Sequence, residues 1–407
     1  MKIIQLITQG FESRLCLTRC SAESQIDKQA VIRLMKINML ICKEIDMKVY
    51  TSIAVVVAIA ISGHAAANTT IVIQNGNENT TTSNQNDPST SGNFVIFTQT
   101  GDNNSSTTAQ TVNSINSVIN STQIGENNTV SSISQFDTTT SAINVLQNGQ
   151  TNLFFAMQSN TMTSTSISTQ NGTSNEMVIT QFESNLDNMV VTQTGDSNIG
   201  VLGQDQTSNT SQILNQQGIS NVVGGILANE TSSIGIIFQD GTSNIADSIF
   251  ENGSGNYQST IQLGLSNTSF TKQSSAFNNT FNLLQDGDSN DAHVVQEYGS
   301  DTSIEVIQLG TTNMVMTDQT GSTNEAGLEQ DGLSNTADLS QDGDLLVAFM
   351  EQVGDSNGAT ITQTSTMNTA STMQMGTTNT HDTTQVTSGN SATAIQVGTS
   401  NVGTILQ

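Results

Sequence analysis

The string Gln-x-Gly-x-x-Asn occurs sixteen times in 407 residues, and no other feature limits the possible folds so tightly. Copies start at Gln74, Gln99, Gln123 and Gln147, then every 23 residues to Gln308. Further copies start at Gln319, Gln330, Gln352, Gln374 and Gln396. Weaker copies at Gln204, Gln273, Gln363 and Gln385 lose the Gly but keep an Asn five residues on (Asn209, Asn278, Asn368 and Asn390). Glu251-Gly253-Asn256 is a near miss. From Gln308 onward, Gln recurs every 11 residues through to Gln407. One unit is thus about 22–23 residues made of two similar halves, a period that means stacked supersecondary units, not separate globular domains.

Each half-unit is expected to be a strand followed by a turn. Gly-x-x-Asn suits a tight turn, because Gly and Asn tolerate positive φ. Gly195, Gly241, Gly287, Gly332, Gly354 and Gly398 are the expected turn glycines. Between turns the residues alternate. Position +7 from a strong Gln is Ala246, Ala292, Ala326, Ala337 or Ala359, and position +9 is Leu202, Val294, Leu328, Leu339 or Ile361. Position +11 returns to Gln in most copies, so Asn, a small residue, an apolar residue and Gln share one face. Period two means strand. The expected fold is all-β: a parallel, amyloid-forming β-solenoid of about 14–15 strand-turn-strand coils, spanning about 70 Å at the usual inter-strand spacing. Only 34% of the residues are hydrophobic, too few for ordinary cores, while 11% charged residues and a single Pro fit disorder badly. A stacked ladder needs only a thin apolar stripe with Gln and Asn amides hydrogen-bonding along the axis.

The first fifty residues are a different kind of sequence. They hold eight of the nine basic residues and all three cysteines, Cys16, Cys20 and Cys42. Met47 to Ser52 resembles a signal n-region, Ile53 to Ile61 is unbroken apolar, and Ala65 and Ala67 sit at A-x-A positions. The stretch is too short to span a membrane. Residues 47–67 are therefore expected to be a signal peptide cleaved after Ala67, and residues 1–46 an upstream extension ahead of a true start at Met47. Residues 68–98 form an N-terminal segment with the first repeat copy, and 99–407 the repeat array. After residue 67 there are thirty acids against Lys272 alone, a balance that argues against nucleic-acid binding. No Cys remains there for disulfides or a Cys-based metal site.

The unit resembles the curlin repeat, Ser-x5-Gln-x-Gly-x-x-Asn-x-Ala-x3-Gln. Residues 330–341 (QDGLSNTADLSQ) and 352–363 (QVGDSNGATITQ) carry its Gln, Gly, Asn, Ala and Gln in register. The resemblance implies a secreted subunit that polymerises outside the cell into curli amyloid fibres of a biofilm matrix. It also implies an outer-membrane secretion pore, periplasmic chaperones and a nucleator subunit as partners. The chain is longer than familiar curlins, and Asn68 to about Phe97 lacks the family's Gly-rich export segment. Its last repeats carry no Lys or Arg, which favours the fibre-forming subunit over the nucleator.

The open end coils of a solenoid are unpaired edges that template another strand. Polymerising contacts are expected at Gln74, Asn79, Gln99 and Asn104 at one end. At the other they are expected at Gln374, Asn379, Gln385, Asn390, Gln396, Asn401 and Gln407. Gln330, Asn335, Gln352 and Asn357 belong to the same amide ladder. Each of these residues serves an intramolecular ladder equally well. Asp196, Asp240, Asp286, Asp288, Asp331 and Asp355 fall in expected turns. Like charges one coil apart repel by about 1 kcal/mol in water, so these acids are candidate gatekeepers against premature assembly. Asp also simply suits turns. Their gatekeeping predicts faster polymerisation in salt or at low pH.

An enzyme is not expected. Past residue 67 there are two histidines, His293 and His381, in different repeats, with no Cys and no Arg. No cofactor is expected. The nonapeptide of calcium-binding solenoids is absent. The competing function is a surface adhesive or ice-binding solenoid that does not polymerise, though the positions matching Thr360 and Thr362 hold His293 and Val295, or Asp338 and Ser340.

Overall fold

The computed structural model describes the backbone of Ile53–Val56 and residues 68–407 in full. The described residues form strands joined by turns, from β1 (Ile53–Val56) to β31 (Val402–Leu406), with no helix among them. Even-numbered strands, with β1, make one sheet of 16 (sheet A); the odd-numbered strands from β3 (Thr80–Asn84) make a second of 15 (sheet B). Apart from β1, every strand pairs in parallel with the next strand but one, so each coil contributes one strand to each sheet. There are fifteen such coils, from β2 (Thr69–Asn75) with β3 to β30 (Ser391–Thr399) with β31. The expected parallel β-solenoid is the fold.

The register places like on like. β12 (Asn188–Asp196) lies on β14 (Ser211–Ile219) with Gln193 opposite Gln216 and Gly195 opposite Gly218. Along each strand, residues alternate between the interior and the solvent, the signature of a strand buried on one face. Ala246, Ala292, Ala326, Ala337 and Ala359 are buried, as are Leu202, Val294, Leu328, Leu339 and Ile361. These small and branched side chains fill the narrow space between the two sheets. They form two apolar blocks, one from Val95 to Ala246 and one from Phe281 to Ala370. Between the blocks the interior turns polar: Gln258, Thr260, Ser269 and Thr271 take the apolar positions, and the Gln258 amide donates to Thr271.

Several local expectations need correction. Asn of the repeat does not supply a positive φ. Gly195 does (φ 111°), and so does Ser197 (φ 58°), the residue before Asn198. Asn198 is instead buried, because its amide is needed inside the stack. The weak-copy residues Asn209 and Asn278 are not ladder residues either. They sit exposed at φ 57° and 54°, and the next residues, Thr210 and Asn279, take the buried position. The second turn of a 23-residue coil holds one residue more than the first, which shifts the pattern by one. Where coils shorten to 22 residues the shift vanishes, and Asn368 is buried as expected. The near miss at Glu251 is also out of register. Phe250 stacks on Gln273 and Leu227 on Gln204, so the amide column of sheet B is interrupted for two coils.

At the N-terminal edge, β1 runs antiparallel along β2, with Ala54 opposite Gln74. It is part of the apolar stretch expected to belong to a signal peptide. Ala65, Ala67 and residues 1–46 lie outside the described residues.

Candidate functional site

The repeat Gln uses both amide hydrogens. Gln193 Nε2 donates to Gln216 Oε1 in the next coil at 2.8 Å and to the Glu176 carbonyl at the start of the facing strand at 2.9 Å. The first bond runs along the axis; the second fastens sheet A to sheet B. Sequence reasoning found the axial bond and missed the cross-sheet one, since Gln spacing carries no signal for it. The repeat Asn works likewise. The Asn198 N–H donates to Asn175 Oδ1 of the coil below at 3.0 Å, and its Nδ2 donates to the Gly218 carbonyl of the coil above at 3.0 Å. Buried amides left unpaired would cost about 1–3 kcal/mol each, so the ladder is stable only when complete.

The turn glycines stack in one column at Gly195, Gly241, Gly287, Gly332, Gly354 and Gly398, all at positive φ. Successive turns approach so closely that a Cβ on Gly195 would lie 2.1 Å from the Gly218 carbonyl oxygen. Beside them, Asp196 Oδ1 accepts the Thr173 N–H of the coil below at 3.2 Å. Asp102 and Asp344 do the same for Asn77 and Ser322, both at 2.7 Å. The turn acids therefore have a structural task of closing the preceding turn. Asp196, Asp286, Asp288, Asp331 and Asp355 are exposed and Asp240 is half-exposed.

The Gln–Gln bonds share one direction, which gives the stack two different ends. Each Gln Nε2 points towards the C-terminal coil. At that end Gln374 donates to Gln396 at 2.8 Å, and Gln385 to Gln407 at 2.8 Å, leaving Gln396 and Gln407 Nε2 with no coil above. Asn401 binds Asn379 Oδ1 through its N–H at 3.0 Å and its Nδ2 at 2.8 Å, and its Nδ2 also donates to the Val397 carbonyl at 3.1 Å. A Cβ on Gly398 would meet only the Asn401 amide, 3.6 Å away. Val402 and Leu406 are 80% and 75% exposed here. The N-terminal coil is the other end. Gln74 and Gln85 head the two amide columns, donating to Gln99 at 2.7 Å and to Gln110; β1 lies along the Gln74 edge, and Gln85 Oε1 accepts the Thr70 hydroxyl at 2.8 Å.

The expected contact residues divide accordingly. Gln74, Asn79, Gln396, Asn401 and Gln407 lie in the end coils. Gln99, Asn104, Gln330, Asn335, Gln352, Asn357, Gln374 and Asn379 are buried in the interior, with Gln385 one coil below the end and Asn390 part-buried. Gln85 was missed, although the eleven-residue step from Gln74 points to it.

One histidine belongs to the end. His381 takes the interior position held by Ala359 in the coil below, and Gly403 above it leaves the room: a Cβ there would lie 2.8 Å from His381 Nδ1. Burial holds its pKa below the ordinary imidazole value, opposed by the Asp382 charge. No cluster of three or more His, Cys, Asp or Glu able to hold a metal occurs among the described residues.

Burial pushes the carboxyls of Glu230, Asp247 and Asp318 above their ordinary values, with Glu297 and Asp342 adding repulsion at Asp318. A carboxyl whose pKa is higher folded than unfolded binds its proton more tightly when folded. Its contribution is present at low pH and is lost as pH rises through the folded value. His381 acts oppositely, losing stability as pH falls below the free imidazole value. In His381→Ala, whose side chain matches Ala359, the thermal midpoint is expected to rise steadily from pH 6.5 to 4.5. A midpoint that falls over this range would contradict the assignment.

A family model for the curlin associated repeat matches residues 277–310, 310–343 and 332–364. These are curlin repeats. The matched segment spans the change from 23- to 22-residue coils, and the same hydrogen-bonded unit continues on both sides of it. No curated protein matches the chain. The curlin repeat fits a curli-like structural subunit and gives no support to catalysis.

Proposed function

We propose that this chain is a secreted structural subunit that adds end to end into extracellular curli-like amyloid fibres of a biofilm matrix. The observation that supports this is the match between its two ends. Gln396 and Gln407 present amide donors at one end, Gln74 and Gln85 head the same two columns at the other, and Asn401 occupies the position from which Asn379 Nδ2 reaches the Gly398 carbonyl. A second copy placed one inter-strand spacing beyond β30 and β31 continues both columns without a change of register. The junction is heterologous and does not close on itself, which is the geometry of a filament. Export requires cleavage after Ala67, and that cut also removes β1 from the edge of β2. The curlin resemblance supplies the remaining partners of this reading: a nucleator, an outer-membrane pore and periplasmic chaperones.

The test is direct. The purified chain, incubated without agitation, is expected to gain thioflavin fluorescence and to give fibre reflections near 4.7–4.8 Å and about 10 Å. A soluble monomer after days of incubation would overturn the proposal and favour a non-polymerising adhesive or ice-binding solenoid.

A further inference from the structure

The outward faces of the coils are not uniform. On sheet A, Ile167, Val190, Ile213 and Ile236 form one continuous outward column, each stacked on the next. The adjacent column continues it through Phe238, Ile261 and Leu284. Ile167 and Ile213 are more than a third exposed and the others half-buried only by one another. From β8 (Ala142–Gln150) to β18 (Tyr257–Leu265), Asp240 is the one charged residue among the outward positions of sheet A before its turn. The coils beyond are acidic: Glu305, Glu325, Glu329 and Glu351 all point outward from the same sheet. Sheet B lacks such a band, because Glu176, Asp205, Asp247 and Lys272 interrupt its outer face, and Gly203 and Gly224 leave it hollow.

We infer that the apolar band of sheet A is a lateral interface with a second copy of this chain, packed face to face and antiparallel. The occupant follows from the charges. In a parallel pair in register, the acidic coils of the two copies face each other, with a single lysine in each described chain to offset them. A two-fold axis along the strands near Ile213 removes that conflict. It sets Ile213 against its own copy and Val190 against Ile236. It also sets Glu305 opposite Asn120, and Glu329 opposite Thr98, both uncharged. The columns run about 25 Å over six coils, on a strand face about 20 Å wide over six residue steps. Two such faces together cover about 1,000 Å², the lower end for a specific interface. This contact is separate from end-to-end addition and uses none of its residues.

The experiment is site-directed cross-linking in the full chain with Cys16, Cys20 and Cys42 changed to Ser. Asn144→Cys and Asn282→Cys lie on the same outward column, three coils either side of Ile213. A bis-maleimide of about 10 Å, the face-to-face sheet distance, is expected to join the two variants when mixed and to join neither to itself. End-to-end neighbours hold these sites about 40 Å apart at the inter-strand spacing, so failure to form fibres does not affect the result. Ile213→Glu is expected to cut the mixed cross-link at least tenfold while leaving the circular dichroism unchanged. Self-linking of Asn144→Cys would show a parallel pair and overturn the inference. No cross-link in any arm would also overturn it and leave the band to another partner.

Discussion

Gly241→Ala is expected to unfold the coils around it, with a loss of about 3–5 kcal/mol of stability. Two effects add. The backbone at Gly241 has φ 137°, which side chains with a Cβ rarely adopt, and the new Cβ would sit 1.9 Å from the Gly264 carbonyl oxygen. Relief requires the next turn to move away. That movement breaks the bond of Asn244 Nδ2 to the Gly264 carbonyl at 3.1 Å. Each coil is held mainly by its neighbours, so the damage is local to the amino-terminal apolar block and the second block keeps its own core. Thermal unfolding followed by circular dichroism is expected to split into two steps, with only the earlier one displaced. A single undisplaced transition would count against the close stacking of the turns.

Gly398→Ala is the same change at the open end, and its expected outcome is different. Nothing lies above Gly398, so the added Cβ meets no backbone in the single chain. The cost is confined to the conformation of one terminal turn (φ 118°), and the main unfolding transition is expected to stay within about 2 °C of the parent. In the proposed fibre, however, that Cβ points at the Gly76 carbonyl of the incoming copy, as every interior turn glycine points at the next. The variant still offers a normal N-terminal face. It is expected to add to the C-terminal end of parent fibres and then block further growth. One part in ten of Gly398→Ala mixed with parent chain should shorten fibres several-fold, read by electron microscopy, and slow seeded elongation on its own by tenfold or more. Unchanged fibre length would place the growing contact elsewhere.

The two glycines separate what stacking does inside one chain from what it does between chains. They use identical local chemistry, and only their place in the column differs. The acidic turns bear on the same separation. Asp196, Asp102 and Asp344 each close a turn of the coil below, so substituting them to test gatekeeping also removes a hydrogen bond. Asp286 and Asp331 are exposed strand-end acids with no such contact recorded to a neighbouring turn. They are the cleaner positions at which to test charge alone.

Much of the architecture was legible in the residues. The recurrence of Gln, Gly and Asn fixed a stack of coils, because a strand-period pattern repeated every 22–23 residues has one economical parallel arrangement. The alternation identified the interior Ala and Leu positions correctly, since period two leaves no freedom about which residues share a face. What the pattern did not resolve was register in the second turn. Asn209 and Asn278 match the motif by counting, yet Thr210 and Asn279 occupy the ladder. One extra residue in a turn is invisible to a spacing rule that starts at Gln and stops at Asn. Phe250 and Leu227 in the Gln column were hidden for a related reason: a column is a property of stacked coils, and no local segment contains it.

The sequence by itself determined that this chain is a β-solenoid of curlin-like units, with its repeat amides turned in. It did so because each unit repeats the same short-range rules of turn and alternation. Only the tertiary structure decided that the Gln–Gln bonds all point one way, that the two ends therefore differ, and that one outer face carries an unbroken apolar band. Those are relations between residues 22 to 25 positions apart, set by how one coil rests on the next.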